Sequence, residues 1–246
     1  MPPRLYCPLP LHHGGTLDLP PAAARHAQVL RLQPGAPLVL FGGADAGGEF
    51  EAVVESMGRQ QVRVRVGAHR AVEREAARAV HLAVGMPANE RMDWLVEKAA
   101  ELGVASIQPL LAERSVLRLA GERAQKRRLH WQQIAVAACE QCGRNRVPPV
   151  GPPLPLAEWL AASQTAPGGP GRRWLLSLEA GAAALPAGLQ GQAQPLVLLS
   201  GPEGGFTAAE ETAARGAGFA ALGLGPRVLR ADTAPLAALA ALALLP

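Results

Sequence analysis

Two glycine-proline loops near the end of the chain, Ser200–Thr207 (SGPEGGFT) and Leu222–Ala234 (LGLGPRVLRADTA), each lie between an apolar, strand-like run and a helix-like run. The run before the first is Pro195–Leu199 (PLVLL), and the run leading into the second is Gly218–Leu224 (GFAALGL). A strand that turns through glycine into a helix is the repeating unit of α/β sheets, and such sheets bind ligands beyond the carboxyl ends of their strands. Two loops of this kind, close in sequence, point to one shared pocket.

The pattern upstream agrees from residue 79 onward. Val80–Met86 reads as a strand, and Asn89 is placed to cap a helix reaching Leu102, with Met92, Leu95, Val96, Ala99 and Leu102 on one stripe and Gly103 as the stop. Strands are expected at Ser106–Leu111 and Trp174–Leu178. Helices are expected at Gly121–Cys142, ended by Pro148 and Pro149, and at Leu156–Ala162, with a Gly/Pro loop over Ser163–Arg172. Alternating strands and helices argue for a mostly parallel sheet covered by helices.

Residues 1–68 read differently, as short strands with one helix near Pro21–Leu32. Leu38–Phe41, Glu49–Val54 and Gln61–Val66 carry the β pattern, the last alternating apolar with polar or basic residues. They form a small β-barrel-like module. Residues 69–78 are charged and lack that alternation, so they read as a linker, and residues 79–246 as the second domain.

With 246 residues and 49% apolar content the chain can bury a sizeable core. Its longest apolar run, Ala234–Pro246, falls short of the roughly 20 residues that cross a bilayer, and the start Met-Pro-Pro-Arg is not a signal peptide. Three cysteines, Cys7, Cys139 and Cys142, are too few for a disulfide framework and point to a reducing cytoplasm. Cys139 and Cys142 have no second pair with which to make a zinc site, and the histidines have no ligand spacing, so no metal is expected.

The net charge of +4 is unevenly spread: Arg114, Arg118, Arg123, Lys126, Arg127, Arg128, Arg144 and Arg146 face only Glu122 and Glu140 within one stretch. That stretch is either a solvated helix face or a phosphate-contacting surface. Lys98 and Glu101, one turn apart, read as a surface ion pair.

Neither loop matches a nucleotide-phosphate signature. The first lacks the Gly-Lys-Ser/Thr end of a P-loop, and Gly223-x-Gly225 has no third glycine of a dinucleotide fingerprint. Thr207 and Glu210 spell a capping box for the helix that follows the first loop, and Thr233 and Pro235 open the last helix. Arg227 and Arg230 beside an apolar loop require an anionic partner. Glycine backbone with Leu222, Leu224 and Leu229 suits an adenine ring better than a triphosphate.

Five blocks in order, Ser200–Phe206, Leu224–Arg230, Arg91–Gly103, Glu113–Ser115 and Glu140–Arg144, resemble the RsmE family of ribosomal RNA methyltransferases. The resemblance spans almost the whole chain. It implies transfer of a methyl group from S-adenosylmethionine to N3 of a uridine in 16S rRNA of the small ribosomal subunit. It implies a SPOUT methyltransferase domain with a deep trefoil knot, an N-terminal PUA-like RNA-binding barrel, and a homodimer. Knots are rare, and no periodicity reveals one.

Carried over residue by residue, the family's cofactor contacts fall on Leu199, Ser200, Gly201, Pro202, Glu203, Gly204 and Gly205, then Leu222, Gly223, Leu224, Gly225 and Leu229, with Thr233 nearby. Arg230 is expected to stabilise charge on the uracil, with Arg114, Arg144 and Arg227 binding RNA. Glu203 either accepts the proton or holds its loop through backbone amides. The chain has Ala231-Asp232 where relatives commonly have Thr-Glu, and Cys142 where serine is more usual.

A non-catalytic RNA-binding protein and a sister SPOUT enzyme acting on transfer RNA or a ribose 2′-hydroxyl are the rival readings.

Overall fold

The computed structural model describes residues 2–42, 47–88, 90–163, 171–179, 181–184 and 194–244. It divides into two compact units, one of residues 1–75 and 136–147 and the other of residues 76–135 and 148–246. Asn89, the expected helix cap, and most of the Ser163–Arg172 loop lie outside the described residues.

The first unit is built on a five-stranded sheet. Its strands are β1 (Arg4–Tyr6), β2 (Thr16–Asp18), β3 (Pro37–Phe41), β4 (Glu49–Met57) and β5 (Val62–Arg70), in the order β1-β3-β4-β5-β2. β1 pairs with β3 in parallel, and the other neighbours are antiparallel. Along β5 the alternation legible in sequence is realised, with Val62, Val64 and Val66 buried and Arg63 and Arg65 exposed. Those valines join Leu5, Leu38, Leu40 and Val54 in one core, closed by Ala23, Ala24 and Ala27 of α1 (Pro21–Val29).

β5 continues to Arg70, past the 1–68 span expected for this module, because Phe50 and Glu49 pair with His69 and Arg70. Residues 136–147, assigned by sequence to the second domain, belong to the first unit for a polar reason. Glu140 accepts from the Tyr6 amide at 2.8 Å and meets His26 Nδ1 at 2.9 Å, while Arg4 donates to the Asn145 side chain at 2.6 Å.

The second unit holds a six-stranded, wholly parallel sheet. Its strands are β6 (Val80–Gly85), β7 (Ser106–Leu111), β8 (Leu154–Pro155), β9 (Arg172–Leu176), β10 (Leu196–Ser200) and β11 (Ala220–Leu222), in the order β11-β9-β10-β6-β7-β8. β10 runs between β9 and β6, so the order reverses direction there, and every carboxyl end points to the same edge. A switch point of this kind opens a crevice for a ligand.

Helices α2 (Glu90–Glu101), α3 (Gly121–Cys142), α4 (Leu156–Ser163), α5 (Ala208–Gly216) and α6 (Thr233–Leu244) follow the strands. Ala83, Leu110, Leu175 and Leu199 pack under α4 and α5 with Leu160, Ala214 and Phe219, while α6 lies against β6, β10 and α2. Leu82, Leu198 and Trp174 are buried too, so the centres of β6, β10 and β9 are covered on both faces, which explains the apolar runs Leu82–Val84, Leu196–Leu199 and Trp174–Leu176. In α2 the stripe Met92, Leu95, Val96 and Ala99 is fully buried, and Gly103 ends the helix at φ +84°. Among the described residues no helix is long and apolar enough to cross a membrane.

Glu49 is the buried anion of the first unit. It meets Arg4 at 2.5 Å and Arg74 at 3.1 Å. Burial pushes its carboxyl up, but the hydrogen bonds from Arg4 and Arg74 outweigh that and hold it below the usual 4.5. Glu49→Ala leaves Arg4 buried without its carboxylate and is expected to destabilise the unit by about 3 kcal/mol. With a depressed folded pKa, the Glu49 contribution is present above the unfolded carboxylate pKa and is lost as pH falls through the lower folded value. Denaturant midpoints of the two proteins should therefore differ at pH 7 and converge in acid.

Candidate active site

The carboxyl ends of neighbouring strands in the second unit surround a cavity of about 500 Å³. After β10, the first loop contributes Ser200, Gly201, Pro202, Glu203, Gly204, Gly205 and Phe206; after β11, the second contributes Leu222, Leu224, Arg227, Val228, Leu229, Arg230 and Ala231. The two glycine-proline loops thus share one pocket. They are not adjacent, however: β9 runs between their strands, and its end adds Leu176, Ser177 and Leu178. α2 adds Arg91, the segment after β7 adds Arg114, and Glu211 and Ala234 complete the wall.

The first loop is held by groups from the ends of β6 and β7. Pro202 packs where Gly85 ends β6: a Cβ on Gly85 would sit 2.5 Å from the proline Cδ and 2.6 Å from its nitrogen. The Ala88 amide donates to Glu203 Oε1 at 2.9 Å, and Arg114 donates to the Gly204 carbonyl at 3.0 Å. At the loop's far end the expected capping box is present. The Thr207 amide donates to Glu210 Oε2 at 2.8 Å, and the Glu210 amide donates to Thr207 Oγ1 at 3.3 Å. Glu210 Oε1 also accepts from the Glu113 amide at 2.8 Å, which ties α5 to the segment after β7.

The second loop is more open. Arg227 and Arg230 were expected beside apolar surface in need of an anion; both are exposed at the cavity, and neither guanidinium has an ion-pair partner among the described residues. Thr233 is the first residue of α6 rather than its cap, is exposed, and does not line the cavity. Leu199, Gly223 and Gly225 also lie off the lining. Leu199 faces the core under α4 and α5, while the two glycines shape the chain between lining residues.

Two other expected site residues stand differently. Arg144 belongs to the first unit, is buried, and grips Glu75 with two hydrogen bonds at 2.8 and 2.5 Å, so its guanidinium is committed within the fold and absent from this cavity. Arg114 is exposed at the cavity but uses its Nη1 to brace Gly204. Lys98 forms the expected pair with Glu101 at 2.7 Å and a second with Glu97 at 2.8 Å; these hydrogen bonds raise its pKa. The Cys139 thiol is pushed far up by a hydrogen bond with Cys142 and by burial, which leaves it a poor nucleophile at neutral pH.

Arg91, Leu176 to Leu178 and Val228 line the cavity without having been singled out by sequence. The place of Arg91 and of Leu176 to Leu178 follows from strand order, which periodicity does not encode, while Val228 comes with the second loop.

Gly85→Ala forces the Pro202 turn away from β6. The expected loss is about 2 kcal/mol of stability, typical of overpacking, whereas Gly216→Ala, with open space around it, should not be destabilising. Chemical denaturation of both variants checks this.

A family model described as RNA methyltransferase domain matches residues 74–243. The ribosomal RNA small subunit methyltransferase E of Bacillus subtilis is 32% identical over 87% of this chain and 84% of its own length. That of Synechocystis is 33% identical over 92% of this chain and 72% of its own. Among solved structures, the Neisseria gonorrhoeae ribosomal RNA small subunit methyltransferase E bound to S-adenosylmethionine superposes with TM-score 0.89 at 38% identity, covering 98% of this chain and 97% of that one. A Legionella pneumophila protein in complex with the cofactor SAM matches with TM-score 0.89 at 36% identity and the same coverage. With this match across the parallel-sheet unit and relatives aligned over most of its length, the chain belongs to the ribosomal RNA small subunit methyltransferase E family.

Proposed function

We propose that this chain is an S-adenosylmethionine-dependent methyltransferase that modifies N3 of one uridine in the 16S RNA of the small ribosomal subunit. The observation that carries the reading is the cavity at the sheet's switch point, glycine-backed on one wall, apolar on another and rimmed by arginines.

The residues present fit the cofactor. Leu176, Leu222, Leu224 and Leu229 offer an apolar slot for an adenine ring, and at Gly201, Gly204 and Gly205 the first loop presents backbone with no side chain attached. The absence of a lysine in either loop agrees with a ligand that carries no triphosphate. Ser200 to Gly205, Leu222, Leu224 and Leu229 would hold it. When bound, S-adenosylmethionine supplies an electrophilic methyl on a sulfonium.

The remaining work falls to the chain's own residues. The uracil must be held in line with the donated methyl, and positioning of this kind supplies much of the rate. As the N–C bond forms the N3–H bond breaks, its proton passing to water at the cavity mouth, and negative charge develops over the two flanking carbonyl oxygens. Arg230, exposed on the cavity wall with no carboxylate partner among the described residues, is suited to stabilise that charge as it develops. Arg227, three residues away on the same loop, is assigned to the RNA backbone. Glu203 is assigned to the loop rather than to the proton, since one of its oxygens is already bound to the Ala88 amide.

The family likeness supports the finer architecture as well. In this reading the segment through the second loop completes a deep trefoil knot of the SPOUT kind, and the first unit is a PUA-like RNA-binding module. The working form is a cytoplasmic homodimer. In this reading the RNA-binding module is residues 1–75 with 136–147, which takes in most of the expected 69–78 linker, and the catalytic domain is residues 76–135 and 148–246.

The test is transfer of labelled methyl from S-adenosylmethionine to small-subunit ribosomal RNA, with the modified base mapped. One uridine methylated at N3 is the expected product; label on transfer RNA or on a ribose hydroxyl would contradict the proposal. Arg230→Ala is expected to lower kcat about 100-fold, as loss of one charge-stabilising donor does, with cofactor affinity unchanged. A wild-type rate in that variant would remove Arg230 from the role.

A further inference from the structure

The cavity contains more positive charge than its assigned tasks use. Four arginines line it: Arg91, Arg114, Arg227 and Arg230. Arg114 donates to the Gly204 carbonyl. The two lining carboxylates have other neighbours, Glu203 binding the Ala88 amide and Glu211 lying 3.9 Å from Arg215. Arg91, Arg227 and Arg230 are left without an ion-pair partner among the described residues.

Resting on the proposed function, the charge count excludes the cofactor as their common counter-ion. S-adenosylmethionine carries one carboxylate against an ammonium and a sulfonium, so it adds positive charge to the cavity. An anion that comes with the other substrate would relieve the repulsion among three guanidiniums beside such a cation. In RNA that anion is the phosphate backbone.

Arg91 differs from the two loop arginines in its mounting. It projects from the first turn of α2, whose buried stripe of Met92, Leu95, Val96 and Ala99 fixes the helix in the second unit. A planar guanidinium on a rigid helix is suited to grip a phosphate with two parallel hydrogen bonds. We propose that Arg91 is an RNA-binding residue of this site, holding a backbone phosphate of the strand that presents the target uridine.

The experiment is a salt titration of binding to small-subunit ribosomal RNA by the full chain, with Arg91→Gln and Arg91→Lys beside the wild type. Loss of one phosphate contact lowers the slope of log affinity against log salt by about 0.7 to 0.9. Arg91→Gln should show that drop and about tenfold weaker RNA binding at low salt, with calorimetric affinity for S-adenosylmethionine within about twofold of wild type, which also reports its folding. Arg91→Lys, which keeps the charge, should keep the wild-type slope. An unchanged slope in Arg91→Gln overturns the proposal. So does weakened cofactor binding with an unchanged RNA slope, which would put the guanidinium on the cofactor's carboxylate, and so does a slope lowered equally by both variants. Methyl transfer by the wild type is measured in the same preparation: its absence contradicts the proposed function, whereas normal transfer with an unchanged Arg91→Gln slope contradicts the phosphate contact alone.

Discussion

The loop after β10 is fixed from two neighbouring strand ends at once, those of β6 and β7, and the rest of the site is built against it. Pro202 fills the space left by Gly85 at the end of β6, Glu203 takes the Ala88 amide beyond that same strand, and Arg114 beyond β7 holds the Gly204 carbonyl. The Thr207–Glu210 box then starts α5 and passes a hydrogen bond on to Glu113. Each of these contacts requires β10 to run beside β6, because only that strand order brings a late loop against the first two strand ends of the unit. Strand order thereby becomes site geometry. A pocket wall made of backbone stays where it is only if side chains from elsewhere hold it, and here they do.

The two walls of the cavity divide the work. One is braced on all sides and presents glycine backbone, suited to a ligand recognised by shape and by backbone hydrogen-bonding groups. The other carries Arg227 and Arg230 on an exposed stretch without ion pairs among the described residues, open to a partner that arrives from solvent. A braced wall for a small cofactor and a cationic wall for a polyanion is the arrangement that methyl transfer onto RNA requires.

Much of this was legible in the residues. The period of α2, the capping box at Thr207 and the apolar runs before both loops reflect local rules that the tertiary structure leaves intact. The pocket's glycine loops were visible for the same reason. The entry of β9 between them was not, since strand order is decided by packing across the sheet, and with it Leu176 to Leu178 went unseen. Arg144 shows the opposite failure. Its sequence block reads as basic and exposed, yet Glu75, 69 positions earlier, neutralises it inside the first unit. A charge in sequence says nothing about the partner that folding supplies. Short β1 and β2, three residues each, also escaped notice because a strand of that length has no period to read.

The central claim is that the loops after β10 and β11 bind one S-adenosylmethionine molecule between them. Amide hydrogen exchange, with and without that cofactor, tests it most directly. The account predicts that peptides covering Ser200–Phe206 and Leu222–Leu229 gain protection together, at the same cofactor concentration, while β3 to β5 of the first unit are unchanged. Protection confined to one loop, or absent from both at saturating cofactor, would contradict it.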